Sequence, residues 1–144
     1  MTEEFSLHPR LATDCFQIGQ FELCRLLMMN DAQYPWFILV PQRPNVREIY
    51  ELDADDQRRL LTESSALSKI VMKAYQGDKL NVAALGNMVP QLHVHHIVRH
   101  VNDSAWPKPV WGLHPAMPMN DAAIRERLRM LAPHSSDGLM LDGQ

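Results

Sequence analysis

At 144 residues, with 46% hydrophobic and 22% charged side chains, the chain has the length of one domain and a globular composition. That excludes two full catalytic domains and a disordered or collagen-like polymer. Fourteen Lys and Arg against seventeen Asp and Glu leave a net charge of −3, so bulk charge draws the chain to neither nucleic acid nor an anionic membrane, and any anion site must be local.

The cysteines, Cys15 and Cys24, have neither the CxxC spacing of a zinc site nor the density of a disulfide framework. The first ten residues lack the basic and apolar regions of a signal peptide, and no apolar run nears the roughly 18 residues of a membrane helix. A reduced, cytoplasmic protein is expected.

Residues 16–29 read as two extended runs broken near Gly19, which suits a turn or bulge, so a hairpin is expected. Trp36 to Val40, aromatic and β-branched and stopped by Pro41, predicts a buried central strand. Past a polar linker, Asp53 is a good N-cap, with Asp55 and Asp56 at the positive end of the helix dipole. Leu60, Leu67, Ile70, Val71 and Ala74 then form an apolar face, while Arg58, Arg59, Glu63, Lys69 and Lys73 fall largely elsewhere. Gly77 is placed as the left-handed C-cap of a helix of about 22 residues. Leu80 to Leu85 and Leu92 to Val98 predict a second hairpin, turned at Gly86-Asn87 and Pro90. Asn120 caps a short helix carrying Ile124, Leu128 and Leu131, ended by Pro133. One domain over 1–132 is expected, with 133–144 as a loose tail.

Four of the seven histidines fall between positions 93 and 100: His93, His95, His96 and His100. Strand side chains alternate faces, and residues two apart lie about 6.6 Å apart along the strand. Gln91, His93, His95 and Ile97 therefore share one face, and Leu92, Val94, His96 and Val98 the other. Two chemistries fit two imidazoles beside a carboxamide. Neutral imidazole, with a reference pKa of about 6.5, can attack phosphorus and form a covalent phosphoryl or nucleotidyl intermediate. Alternatively, HxH supplies two neutral metal ligands, with the third to come from His100, Asp103 or a cysteine.

Val89-Pro90-Gln91-Leu92-His93-Val94-His95-His96-Ile97-Val98, with Asn81 before it and Trp106-Pro107-Lys108-Pro109-Val110-Trp111-Gly112 after it, resembles the histidine-triad (HIT) family of nucleotide hydrolases and transferases. The order of elements over residues 16–112 agrees. The resemblance implies an α+β fold with a largely antiparallel sheet of about five strands, one long helix and a short C-terminal helix, usually as a homodimer. It implies action at the α-phosphate of a nucleotide conjugate, such as a nucleoside phosphoramidate or dinucleoside polyphosphate, through a nucleotidyl-histidine that water hydrolyses, with no metal or other cofactor. By position the first motif histidine is His93 and the nucleophile is His95. In such a site a backbone carbonyl holds the Nδ1 proton and leaves Nε2 facing phosphorus.

This chain departs from the family pattern at several positions. Ile97 occupies the third histidine's place, and His96, by alternation, points away as a packed or surface residue unless a bulge re-aims it. Val89 stands where the family has a glutamine, so Gln91 meets a phosphate one layer closer; Pro90 offers neither hydroxyl nor N–H. Trp36 takes the place of a fourth histidine. Asn30 or Asp31 matches the ribose-binding acid of relatives, or is a turn-forming pair; Asn81 is a site polar group or a structural one. Trp106 and Trp111 bracket a proline-stiffened segment that serves as an aromatic lid or caps the core. Arg99, on the face of His95, is preferred over Lys108 as the phosphate cation. No P-loop or GxGxxG is present.

Three readings follow. The first is a HIT-like phosphohydrolase or nucleotidyltransferase with His95 as nucleophile and His93 in support, Gln91, Asn81, Arg99, Asn30, Asp31 and Trp111 serving the substrate. The second is a metal enzyme built on His93 and His95. The third is a non-catalytic nucleotide-binding relative.

Overall fold

The computed structural model describes residues 4–143. A short helix α1 (Pro9–Asp14) leads into β1 (Cys15–Gln20), β2 (Cys24–Met29) and β3 (Trp36–Pro41). The long helix α2 (Ala54–Ala74) follows, then β4 (Lys79–Ala83), β5 (Val94–Arg99), α3 (Asp121–Leu131) and a last strand β6 (Met140–Leu141). The six strands form one antiparallel sheet in the order β4-β5-β3-β2-β1-β6. The α+β fold and largely antiparallel sheet are as expected; the strand count rises from five to six because the C-terminal segment is not loose. Leu141 and Met140 pair with Gly19 and Gln20, Leu139 is buried, and the Asp142 amide donates to the Ile18 carbonyl at 2.8 Å.

The sheet separates two apolar layers. On one side α2 and α3 bury Leu60, Leu67, Ile70, Val71 and Leu131 against Leu26, Met28, Phe37, Leu39, Val94 and Val98. On the other, Leu11 of α1 and Ala105 and Val110 of the loop after β5 cover Leu27, Trp36, Ile38, Val40 and Ile97. Both cysteines are free and buried, Cys24 in the helix-side layer and Cys15 in the opposite one. The expected core face of α2 is fully confirmed by burial, and Asp53 caps it by accepting from the Asp56 amide at 2.8 Å. No helix among the described residues is long and apolar enough to cross a membrane.

Two local expectations change. The left-handed residue after α2 is Gln76, at φ 49°, and not Gly77. Gly77 serves close packing: a Cβ there would lie 2.5 Å from Val98 Cγ1 and 2.7 Å from Met72 Sδ. Glu63, assigned to the polar side of α2, is 7% exposed. Its carboxylate accepts the Leu23 and Cys24 amides at 2.8 and 2.9 Å, satisfying the β1–β2 turn from the helix side.

Gly19 sits at the register shift of β1 against β2, a bulge rather than the turn itself, which falls at 21–23. A Cβ at Gly19 would lie 2.5 Å from the Met140 carbonyl oxygen, so β6 can pair only because that side chain is absent.

Candidate functional site

β5 lies between β3 and β4, with Ile38 and Ala83 opposite His95 and with Phe37 and Val82 opposite His96. Pleating then sends neighbouring histidines to opposite faces. His95 joins His93, the last residue before β5, in the wall of a cleft of about 320 Å³. The cleft is closed by α1, by Trp36 and Trp111, and by the loop 85–89.

His96 is fully buried on the α2 side. Its Nδ1–H donates to the Val94 carbonyl at 3.0 Å, and the Ser64 hydroxyl donates to its Nε2 at 2.7 Å. Burial pushes its pKa down to about 4, against the pull of the Val94 carbonyl. His96 therefore supports the core and does not reach the cleft, as alternation required.

The two cleft imidazoles lie 4.9 Å apart at 70°, in edge contact. His93 Nδ1 lies 2.8 Å from the Gln91 carbonyl oxygen. A carbonyl only accepts, so the proton is on Nδ1 and the Nε2 lone pair is free. His95 is held otherwise: the Trp36 indole N–H donates to its Nδ1 at 3.0 Å. An indole only donates, so the His95 proton is on Nε2. The backbone carbonyl expected at His95 Nδ1 is replaced by Trp36. Rings of Trp36 and Trp111 stand edge-on to His95 at 5.7 and 5.2 Å. Burial, then His93 and His96, push the His95 pKa down to about 3, so its ring is neutral at neutral pH.

The structure gathers three of the expected site residues, His93, His95 and Trp111, in the cleft. The others are engaged elsewhere. The Arg99 guanidinium, 1% exposed, is held by the Asp103 carboxylate at 2.8 and 3.0 Å and by Asn81 Oδ1 at 2.8 Å. Arg99 and Asn81 thus pair with each other, away from the cleft, because a buried guanidinium must be neutralised and saturated. Burial raises the Asp103 pKa, but Arg99 and the amides of His100, Ala105 and Trp106 outweigh it and hold it at about 2.

Gln91 clasps the N-terminal arm: its Oε1 accepts the His8 amide at 2.8 Å and its Nε2 donates to the Ser6 carbonyl at 2.9 Å. Asn30 accepts the Met119 amide, and Asp31 accepts the Gln33 and Met117 amides, so this pair braces the segment before α3. Trp106 lies over Arg99 at 5.7 Å rather than over the cleft.

Sequence reading missed Arg10, Leu11 and Asp14 of α1, which line the cleft. The signal was present in His8-Pro9, where Pro takes the first helical turn and the His8 side chain caps it by accepting the Arg10 amide at 3.0 Å. Arg10 is the cation lining the cleft, half-exposed and 3.5 Å from Asp14. Among the described residues no group of three His, Cys, Asp or Glu could hold a metal ion, so the third ligand sought for a metal reading is not gathered around His93 and His95.

The HIT domain family matches residues 10–102, well over half the chain. A histidine triad protein from Marinobacter aquaeolei is 52% identical, with a TM-score of 0.85 over 92% of this chain and 100% of that one. Histidine triad proteins from Bradyrhizobium japonicum and Sinorhizobium meliloti are 43% and 40% identical, with TM-scores of 0.89 and 0.88. They cover 92% and 91% of this chain and 98% and 97% of their own. None of the curated proteins compared with the chain matches it.

Proposed function

Because the chain belongs to the histidine-triad (HIT) family, a family of nucleotide hydrolases and transferases, we propose that the cleft at His93 and His95 cleaves a nucleotide conjugate at its α-phosphate. The substrate class is a nucleoside phosphoramidate, a dinucleoside polyphosphate or a related conjugate, and the reaction passes through a nucleotidyl-histidine. The observation that carries this reading is the pair of imidazoles that line one cleft and whose Nε2 atoms have no hydrogen-bond partner among the described residues. Imidazole is the side chain that attacks phosphorus at neutral pH without further activation. A cleft of about 320 Å³ is of ligand-binding size. Arg10 at its wall is the cation for the phosphate in place of Arg99, and the indoles of Trp36 and Trp111 are the apolar surface for the nucleoside.

The test is turnover of adenylyl and guanylyl phosphoramidates and dinucleoside polyphosphates, followed by chromatography. Wild type releases nucleoside monophosphate, and the His93→Ala/His95→Ala double variant loses at least ~10³-fold in kcat/KM. Calorimetric binding of the same conjugates with no turnover would instead establish a nucleotide-binding relative, a reading motivated by Ile97, which fills the third motif position and is fully buried.

We also infer a homodimer formed across β4. That strand ends the sheet, its outer edge unpaired among the described residues. Beside it Ile49, Leu61 and Val82, 44%, 69% and 50% exposed, line a groove of about 550 Å³ that is apolar enough to take a second copy.

A further inference from the structure

Granting the reaction just proposed, we infer that His93 is the nucleophile and that His95, locked by Trp36, is the hydrogen-bond donor to the phosphoryl oxygen. The division follows from what each Nδ1 touches. Attack requires a lone pair on Nε2 and therefore a proton held on Nδ1 by an acceptor. Only His93 of the pair meets that condition, through the Gln91 carbonyl at 2.8 Å. At His95 the partner of Nδ1 is itself a donor, the indole N–H of Trp36 at 3.0 Å, which leaves Nε2 protonated.

For His95 to attack, its proton would have to move to Nδ1 and set two N–H groups against each other, or Trp36 would have to swing away. That indole is 7% exposed and wedged between Tyr34 and Trp111, with ring centroids 6.4 and 6.0 Å distant. His93 needs no rearrangement. The residue flanking His95 on its other side, Ile97, has no polar side-chain atom to offer. The reactive pair is thus 93 and 95, with 95 taking the part of a fixed N–H aimed where negative charge develops.

In the first step the Nε2 lone pair of His93 attacks the α-phosphorus. The N–P bond forms as the bond to the leaving group breaks, and the leaving group departs with the electron pair and takes a proton from solvent. The Gln91 carbonyl steadies the positive charge on the His93 ring through Nδ1–H, while His95 Nε2–H donates to a non-bridging oxygen. In the second step water attacks the phosphorus, the N–P pair returns to His93 Nε2, and the water's proton passes to solvent.

Two measurements decide the assignment. With protein carrying ¹⁵N-labelled histidine, long-range nitrogen–proton correlation should give His93 as the Nδ1–H tautomer and His95 as the Nε2–H tautomer. Trp36→Phe, checked for folding by circular dichroism, should release the second of these. Wild-type protein mixed with adenosine 5′-phosphoramidate, quenched without acid and mapped by fragmentation mass spectrometry, should carry the adenylyl group on His93. His93→Gln should abolish the adduct. His95→Ala should still form it, with kcat lowered about 10²-fold, the size of effect seen on removing one such donor.

An Nδ1–H tautomer at His95, or an adduct mapped to His95, overturns the assignment and leaves the proposed reaction standing. Correct tautomers with neither adduct nor turnover across the conjugate panel overturn the reaction itself and the nucleophile with it.

Discussion

The burial of two histidines on β5 sets how the protein responds to acid. His95 and His96 are pushed down to about 3 and about 4 by burial, while in the unfolded chain both titrate at about 6.5. Between these values the unfolded chain binds protons that the folded one refuses, so stability is complete above about pH 6.5 and falls as the pH drops toward 4. Each refused proton weakens the fold by about 1.4 kcal/mol per pH unit. Asp103 acts in a lower window. Held at about 2, it contributes stability present above the ordinary carboxylate pKa and lost only below it. Urea midpoints should therefore decline from pH 6.5 to 4.5, and His96→Gln should flatten the decline by roughly half; a level profile in wild type would contradict the burial described for both rings.

At this scale the faces of β5 were legible, because strand alternation alone separates His93 and His95 from His96. The partners were not. Gln91 finds its acceptor and donor 85 and 83 residues away in sequence, at Ser6 and His8. Arg99 is neutralised by a loop carboxylate that no periodicity reveals.

Among the elements, α2 and β3 are legible in the sequence almost to the residue because cap, apolar stripe and β-branched run agree. β6 and α1 are not, for different reasons. A two-residue strand has no period, and its pairing depends on a bare backbone at Gly19 on the neighbouring strand. A six-residue helix depends on one proline and one capping imidazole. Gly19→Ala brings a Cβ against the Met140 carbonyl and the Leu141 Cα, and overpacking against backbone costs about 1–3 kcal/mol. The expected result is a lowered thermal midpoint together with loss of hydrogen-exchange protection at the Asp142 amide, whose acceptor is the Ile18 carbonyl. Protection retained in the variant would mean that β6 does not rely on that approach.

For the whole molecule, the sheet ends on one side at the two-residue strand β6 and on the other at β4, which lies beside apolar surface. Sedimentation equilibrium should give twice the chain mass. Val82→Asp with Leu61→Glu, both on the exposed surface, should yield a folded monomer, because the pair places four like charges across a two-fold contact. A wild-type monomer at micromolar concentration would refute the dimer.

The two thiols make a further property of the molecule accessible. Cys15 and Cys24 lie in different layers, one under the N-terminal arm and one beneath α2. Burial first, and then Asp14 and Glu63 respectively, drive both away from the thiolate form, Cys15 to about 12. Since only the thiolate reacts, an alkylating reagent can modify either sulfur only while its own layer has come apart. Comparing the two labelling rates on the unmodified protein turns the pair into a stopwatch with two hands: equal rates signal collapse as a unit, and faster capture at 15 signals that the arm peels first.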